Sequence, residues 1–120
     1  MDRDKRIAQE LARISVHFKR VDANQRAMIE PLLQNAAFMA ITLQDLQKII
    51  NSEGATDEYC NGANQYGEKP SASLQAYNSM IKNYAGVIKA LSQLLPKEDA
   101  GGRSKLESFL QGIESPEKGR

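Results

Sequence analysis

The chain has no tryptophan, one cysteine, one histidine and no long apolar run, and each of these scarcities excludes a class of structure. Cys60 cannot form an internal disulfide, and with His17 as the single histidine the usual Cys/His zinc sites are excluded. The N-terminal residues are followed by no apolar signal segment, and nowhere do roughly 18 apolar residues follow one another. We therefore expect a soluble protein of a reducing compartment, the cytoplasm, with no membrane span.

Charge of one sign is also not in marked excess. Sixteen Lys and Arg against fifteen Asp and Glu give a net charge of +1, so bulk charge does not predict binding to a polyanion. The distribution is uneven, because residues 1–26 contain seven basic and four acidic groups, a local excess of three. With 120 residues and only seven Phe and Tyr, the sequence predicts a single domain with an aliphatic, elongated core.

Apolar residues near the N-terminus follow a helical period. Their spacing of four, three, four and three predicts an amphipathic helix within residues 1–21. Basic residues follow the same period on the flank of the apolar stripe. The apolar positions are Ile7, Leu11, Ile14, Phe18 and Val21.

Two longer helices are predicted within residues 22–96. Asp22 is the expected N-cap of the first, which Gly54 ends, and Ser71 or Ser73 caps the second, which Pro96 ends. Their heptad-like apolar lines predict packing against each other. These lines are Ile29, Leu33, Ala36, Ala40, Leu43, Leu46 and Ile50 in the first helix, and Leu74, Tyr77, Ile81, Tyr84, Ile88, Leu91 and Leu95 in the second.

A polar connection of seventeen residues, 54–70, joins these helices and contains three Gly, two Asn and a Pro. That composition favours turns over packed structure, and we expect Tyr59 and Tyr66 to hold it against the end of the helices. The predicted fold is all-α: a long antiparallel helical hairpin with an extra N-terminal helix, oligomerising. Residues 1–96 form one helical domain, and 97–120 form a flexible tail.

The tail contains a short amphipathic segment after the Gly101-Gly102 joint. Such a segment is too short to be a stable helix alone. It either docks on its own helical hairpin or binds a partner protein as a short helix in a groove, and the flexible joint favours the partner. The candidate partner-binding residues are Leu106, Phe109, Leu110 and Ile113.

The sequence contains no catalytic motif. It has no Gly-rich phosphate loop, no HExxH, and no Cys/His pair with a defensible spacing, so we predict neither an enzyme nor a cofactor or metal site. Asp57 and Glu58 are adjacent carboxylates that could bind a cation, although a solvated acidic turn is the favoured interpretation.

The basic flank of the N-terminal helix could follow a phosphate backbone. An ordinary solvated helix face is an equally good interpretation for one copy, but a ring of copies would join these patches into a continuous positive band. The candidate DNA-binding residues are Arg3, Lys5, Arg6, Arg13, Lys19 and Arg20.

Several phrases of the chain resemble one known family. They are Leu33-Gln-Asn-Ala-Ala-Phe-Met39, Thr42-Leu-Gln-Asp-Leu46, Tyr59-Cys-Asn-Gly-Ala-Asn-Gln-Tyr-Gly67 and Tyr77-Asn-Ser-Met-Ile-Lys-Asn-Tyr84 through Leu94-Leu-Pro96. Over roughly residues 22–96 the arrangement resembles small terminase subunits of tailed phages and prophages of Gram-positive bacteria.

This resemblance implies a non-catalytic component of the viral genome-packaging motor. It would form a cyclic homo-oligomer, bind double-stranded viral DNA and regulate the large terminase subunit in the host cell cytoplasm. The chain departs from many family members because the residues before Asp22 are too few for a helix-turn-helix domain. DNA contacts would then come from the basic first helix or the ring channel. The alternative is a small helical adaptor or regulatory protein that binds one protein partner and no nucleic acid.

Overall fold

The computed structural model describes residues 2–60, 62 and 66–95, with the backbone alone for Cys60. This part of the chain is mostly helical, as predicted, and also contains a small sheet that an all-α fold does not include. The helices are α1 (Arg3–Ser15), α2 (Ala23–Glu53) and α3 (Ala72–Gln93), and the strands are β1 (Thr56–Cys60) and β2 (Tyr66–Pro70). The predicted tail, 97–120, lies outside the described residues.

Helix α1 is shorter than its apolar period predicts. Asp2 caps it by accepting a hydrogen bond from the Lys5 backbone N–H at 2.9 Å. The α-helix ends at Ser15 and continues as a single 3-10 turn, Val16–Phe18, so the apolar pattern crosses a change of helix type. Phe18 is nevertheless fully buried.

Helix α2 begins and ends where the sequence places its signals. The Asp22 side chain accepts a hydrogen bond from the Gln25 N–H at 2.9 Å, as expected of an N-cap. Gly54 stands just past the end with φ of 92°, and its N–H donates to the Ile50 carbonyl. The helix continues through Pro31.

Helix α3 begins at its predicted cap, because the Ser71 hydroxyl accepts from the Leu74 N–H at 3.0 Å. Its start lies beside the end of α2, where Gln47 donates a hydrogen bond to the Tyr77 hydroxyl at 3.1 Å. The three helices, which we call the helical body, share one core. It contains Ile14, Phe18, Val21, Ile29, Leu33, Ala36, Ala40, Leu43, Tyr84, Ala85, Ile88, Leu91 and Leu95.

The predicted polar turn region is instead a β-hairpin, which we call the β arm. Strands β1 and β2 pair antiparallel, with Tyr59 opposite Gly67 and Glu58 opposite Glu68. The Tyr59 ring covers Gly67 so closely that a Cβ there would stand 2.8 Å from the Tyr59 hydroxyl oxygen. An aromatic ring over a strand glycine stabilises a sheet that has little else to pack against.

The structure does not bear out the expected anchoring of the β arm against the helices by its two tyrosines. Tyr59 packs within the arm, on Gly67, and Tyr66 is 76% exposed and holds nothing against the helices. Asp57 and Glu58 do not converge on a cation either, since adjacent strand residues point to opposite faces. Among the described residues, no helix is both long and apolar enough to cross a membrane.

Candidate nucleic-acid interface

The candidate interface is the basic side of α1 and the turn that follows it. Helix α1 and the 3-10 turn after it pack against the other helices, because Ile14 and Phe18 enter the shared core. The basic residues lie on the flank of this buried stripe, as the helical period predicts. Their surroundings divide them into two groups.

Arg3 and Arg6 both bind Asp45 of α2. Arg6 Nη1 lies 2.7 Å from Asp45 Oδ1, and Arg3 forms an ion pair with the other carboxylate oxygen. Arg6 also donates to the side-chain oxygen of Gln44 at 3.0 Å. The hydrogen bond from Arg6, with the charge of Arg3 beside it, lowers the pKa of the Asp45 carboxyl below its usual value. These contacts tie the start of α1 to α2.

Arg3 makes two further contacts with the same helix. Its Nη2 donates to the Thr42 hydroxyl at 2.5 Å, and its guanidinium carbon lies 5.1 Å from the centre of the Phe38 ring. That distance is within the range of a cation–π interaction. Arg3 is therefore held on α2 by a carboxylate, a hydroxyl and an aromatic ring.

Arg13 is paired within α1. Its Nε donates to Glu10 Oε1 at 2.9 Å and its Nη2 to Oε2 at 2.5 Å, a bidentate arrangement. The hydrogen bond to Glu10 raises the pKa of Arg13 above its usual value. Because Glu10 is buried, this pair neutralises a carboxylate on the inner flank of the helix.

Tyr84 of α3 lies against that pair. It is only 2% exposed, and burial together with the Glu10 carboxylate raises the pKa of its hydroxyl well above the usual value, whereas Arg13 lowers it. Through Tyr84, α3 thus lies beside the Glu10–Arg13 ion pair of α1. The sequence places Tyr84 in the core, as found, but gives no sign of its charged neighbours.

Lys5, Lys19 and Arg20 form the second group. All three are exposed, and they form no ion pair with the described part of the chain. Lys19 and Arg20 lie side by side in the turn before α2, and Lys5 lies near the start of α1. Of the six candidate DNA-binding residues, these three have charges that face solvent.

The sequence did not identify the acidic partners. Asp45 lies 39 and 42 residues from the two arginines it binds, so no local spacing could reveal the contact. Arg26 is likewise paired, with Glu30 one turn further along α2, a spacing that the sequence does show. The sequence also shows Glu10 within the basic stripe, three residues before its partner Arg13.

A shallow cavity of about 250 Å³ lies between α1 and α2, lined by Arg6, Gln9, Glu10, Arg13, Ile41 and Gln44. Both of its arginines bind carboxylates, but Arg6 shares Asp45 with Arg3, so the pairing leaves one positive charge uncompensated. Within residues 2–60, 62 and 66–95 no group of His, Cys, Asp and Glu could hold a metal ion. The partner-binding candidates Leu106, Phe109, Leu110 and Ile113 lie outside the described residues.

No family model, curated protein or solved structure matches the chain.

Proposed function

We propose that the chain is a small terminase subunit, a non-catalytic DNA-recognition and regulatory component of a viral genome-packaging motor. In this proposal α2 and α3 act as an antiparallel helical hairpin that assembles copies into a ring. The large terminase subunit is the expected partner, through Leu106, Phe109, Leu110 and Ile113, and the host cytoplasm is the expected location.

The observation that carries the proposal is the apolar surface left on α2 and α3. Several side chains pack only partly against the core and keep a face toward water, and Met28 of α2 is 79% exposed. Contact with another copy would remove this surface from water, which favours association in proportion to the apolar area buried. The partly buried side chains include Leu32, Met39, Met80, Val87 and Leu94.

The three solvent-facing cations support the DNA-binding part of the proposal. Lys5, Lys19 and Arg20 are available to phosphates, whereas Arg3, Arg6 and Arg13 hold carboxylates of the same chain. We therefore narrow the proposed DNA contacts of each subunit to those three residues. In a ring, the weak attraction of each subunit would be multiplied.

The test combines subunit number with salt-dependent DNA binding. Light scattering should give more than four subunits. Three phosphate contacts predict that the logarithm of affinity falls with the logarithm of salt concentration with a slope of about −2.7 for each bound subunit. Substituting Lys5→Gln should reduce that slope by about 0.9. A monomer or dimer whose DNA affinity does not change with salt concentration would contradict the proposal.

Lys82→Gln is the matched control, because Lys82 is also an exposed lysine but belongs to α3 and is not one of the candidate DNA-binding residues. It should leave both the slope and the subunit number unchanged. An equal loss of DNA affinity in Lys5→Gln and Lys82→Gln would mean that net charge, and not the first helix, governs binding.

The second candidate is a helical adaptor that binds one protein partner. It is favoured by the pairing of Arg3, Arg6 and Arg13 with two carboxylates of the same chain, which reduces the positive charge that the six candidate residues offer to DNA. A stable monomer or dimer with no affinity for DNA at low salt is the result that would favour it.

A further inference from the structure

The β arm is an exposed sheet with little support from the helical body. Its strands pair with each other, and at its base the Ser71 N–H donates to the Ala55 carbonyl at 2.8 Å. Two-stranded hairpins are marginally stable on their own in water. Contact with another surface would stabilise the β arm and cover Tyr66.

The strand register gives the two faces of the β arm different charge. On one face Asp57 lies opposite Lys69, so opposite charges meet. On the other, Glu58 lies opposite Glu68, and like charges directly across a strand pair destabilise it. We call this second face, with Glu58, Glu68 and Tyr66, the acidic face.

A shallow cavity of about 340 Å³ is lined by Glu58, Tyr66, Gly67 and Glu68. Two carboxylates beside an exposed aromatic ring match a cationic side chain, since the carboxylates accept charge-assisted hydrogen bonds and the ring attracts the cation. A guanidinium or ammonium group would also relieve the repulsion between the two glutamates.

Two adjacent exposed cations lie at the other end of α2 from the β arm. Lys19 and Arg20 are exposed in the turn that precedes α2, and the β arm follows the end of α2. Helix α2 has 31 residues, which is roughly 46 Å at 1.5 Å per residue. Within one copy the acidic face and the Lys19–Arg20 turn are too far apart to touch. A contact between them therefore requires two copies of the chain.

We propose that the acidic face of one copy binds the Lys19–Arg20 turn of a second copy, with Glu58 and Glu68 holding the cations and Tyr66 covering them. The contact is head-to-tail, because each copy contributes a different surface at each end. It does not depend on the packaging function and is separate from the apolar surface of α2 and α3. It uses two of the proposed DNA contacts, so DNA and a neighbouring β arm compete for the turn.

Charge exchange between two variants tests the contact. The arm variant carries Glu58→Lys with Glu68→Lys, and the turn variant carries Lys19→Glu with Arg20→Glu. Self-association of the full chain is measured by sedimentation over a range of salt concentrations. Wild type should show a salt-sensitive association step, which each variant alone should weaken by at least about tenfold because like charges then face each other.

An equimolar mixture of the two variants should restore association. The reversed arm of one variant then faces the reversed turn of the other, and the unchanged arm faces the unchanged turn, so every contact again joins opposite charges. The control pair, Lys82→Glu with Lys89→Glu, changes two exposed lysines of α3 and should associate as wild type does. Helical content measured by circular dichroism checks that each variant is folded.

Three results would overturn the proposal: a wild type without a salt-sensitive step, a variant that associates normally, or a mixture that stays apart. Tyr66→Ala keeps all charges and should weaken association less than the charge reversals do. The Lys5→Gln measurement of DNA binding is independent of these results, because Lys5 lies outside both surfaces. Failure of this contact and failure of the packaging function are therefore distinguishable.

Discussion

The helical body and the β arm of the same chain differ in how far their side chains are buried. In the helical body Phe18, Leu33, Ile88 and Leu91 are fully buried, so each removes its whole side chain from water. In the β arm the aromatic side chain of Tyr66 is 76% exposed. We therefore expect the helical body to supply most of the stability of the fold. The exposed side chains of the β arm are available for contacts with other molecules.

Truncating one aromatic ring in each region gives the largest expected difference. Phe18→Ala should lower the free energy of unfolding by about 3–5 kcal/mol, because it opens a cavity where α1 meets the core. Tyr66→Ala should change it by less than about 0.5 kcal/mol, as is usual for exposed sites. Chemical denaturation followed by circular dichroism measures both. A loss of several kcal/mol in Tyr66→Ala would contradict the exposed position of this side chain.

The buried tyrosine of the body provides a smaller, pH-dependent test. The folded state raises the pKa of Tyr84 above the value near 10 that an unfolded tyrosine has. Its contribution to stability is therefore fully present below about pH 10 and is lost as the pH rises from there toward the folded pKa. Above pH 10 this group should remove up to about 1.4 kcal/mol of stability for each pH unit.

Tyr84→Phe should remove this contribution to the alkaline loss. Denaturation midpoints at two pH values, one on each side of 10, are compared within each protein, which cancels any change in packing caused by the substitution. An identical alkaline loss in wild type and Tyr84→Phe would assign the pH dependence to other groups.

The smallest expected effect concerns the edge of the helical body. Asp45→Asn removes the carboxylate that Arg3 and Arg6 share, so the start of α1 should open more often while α3 is unaffected. Amide hydrogen exchange should become faster in the first turns of α1 and stay the same around Ile88. The same local effect is expected in wild type as the pH falls below the ordinary range of an aspartate, because the lowered pKa of Asp45 means that its contribution is lost on protonation.

Helix limits could be read from the sequence because they depend on neighbouring residues. Asp22, Gly54 and Ser71 act at the positions where local capping chemistry predicts them. The sequence did not predict the strands, because the glycine, asparagine and proline of the connection favour turns. The residues around Tyr59 and Tyr66 that form the strands are too few to give a clear strand pattern. Two short runs separated by five residues that include Gly62 are a sequence signal for a hairpin with a longer loop, which could have corrected this interpretation.

The candidate interface could be predicted only in part, for the same reason. The helical period correctly placed Arg3 and Arg6 on the flank of the buried stripe. The helical period could not show that Asp45, far along the chain, forms ion pairs with both arginines. Periodicity fixes the direction of a side chain, whereas its partner depends on how the helices pack.

The contact between Tyr59 and Gly67 has a consequence for how this chain can vary. A side chain at position 67 would collide with the far end of the tyrosine ring, so the ring must shift or be replaced by a smaller residue before position 67 can carry one. The reverse change is less constrained, because a small residue at position 59 leaves room above the glycine. The two positions are therefore coupled, because the ring over the glycine sets how large a residue position 67 can carry.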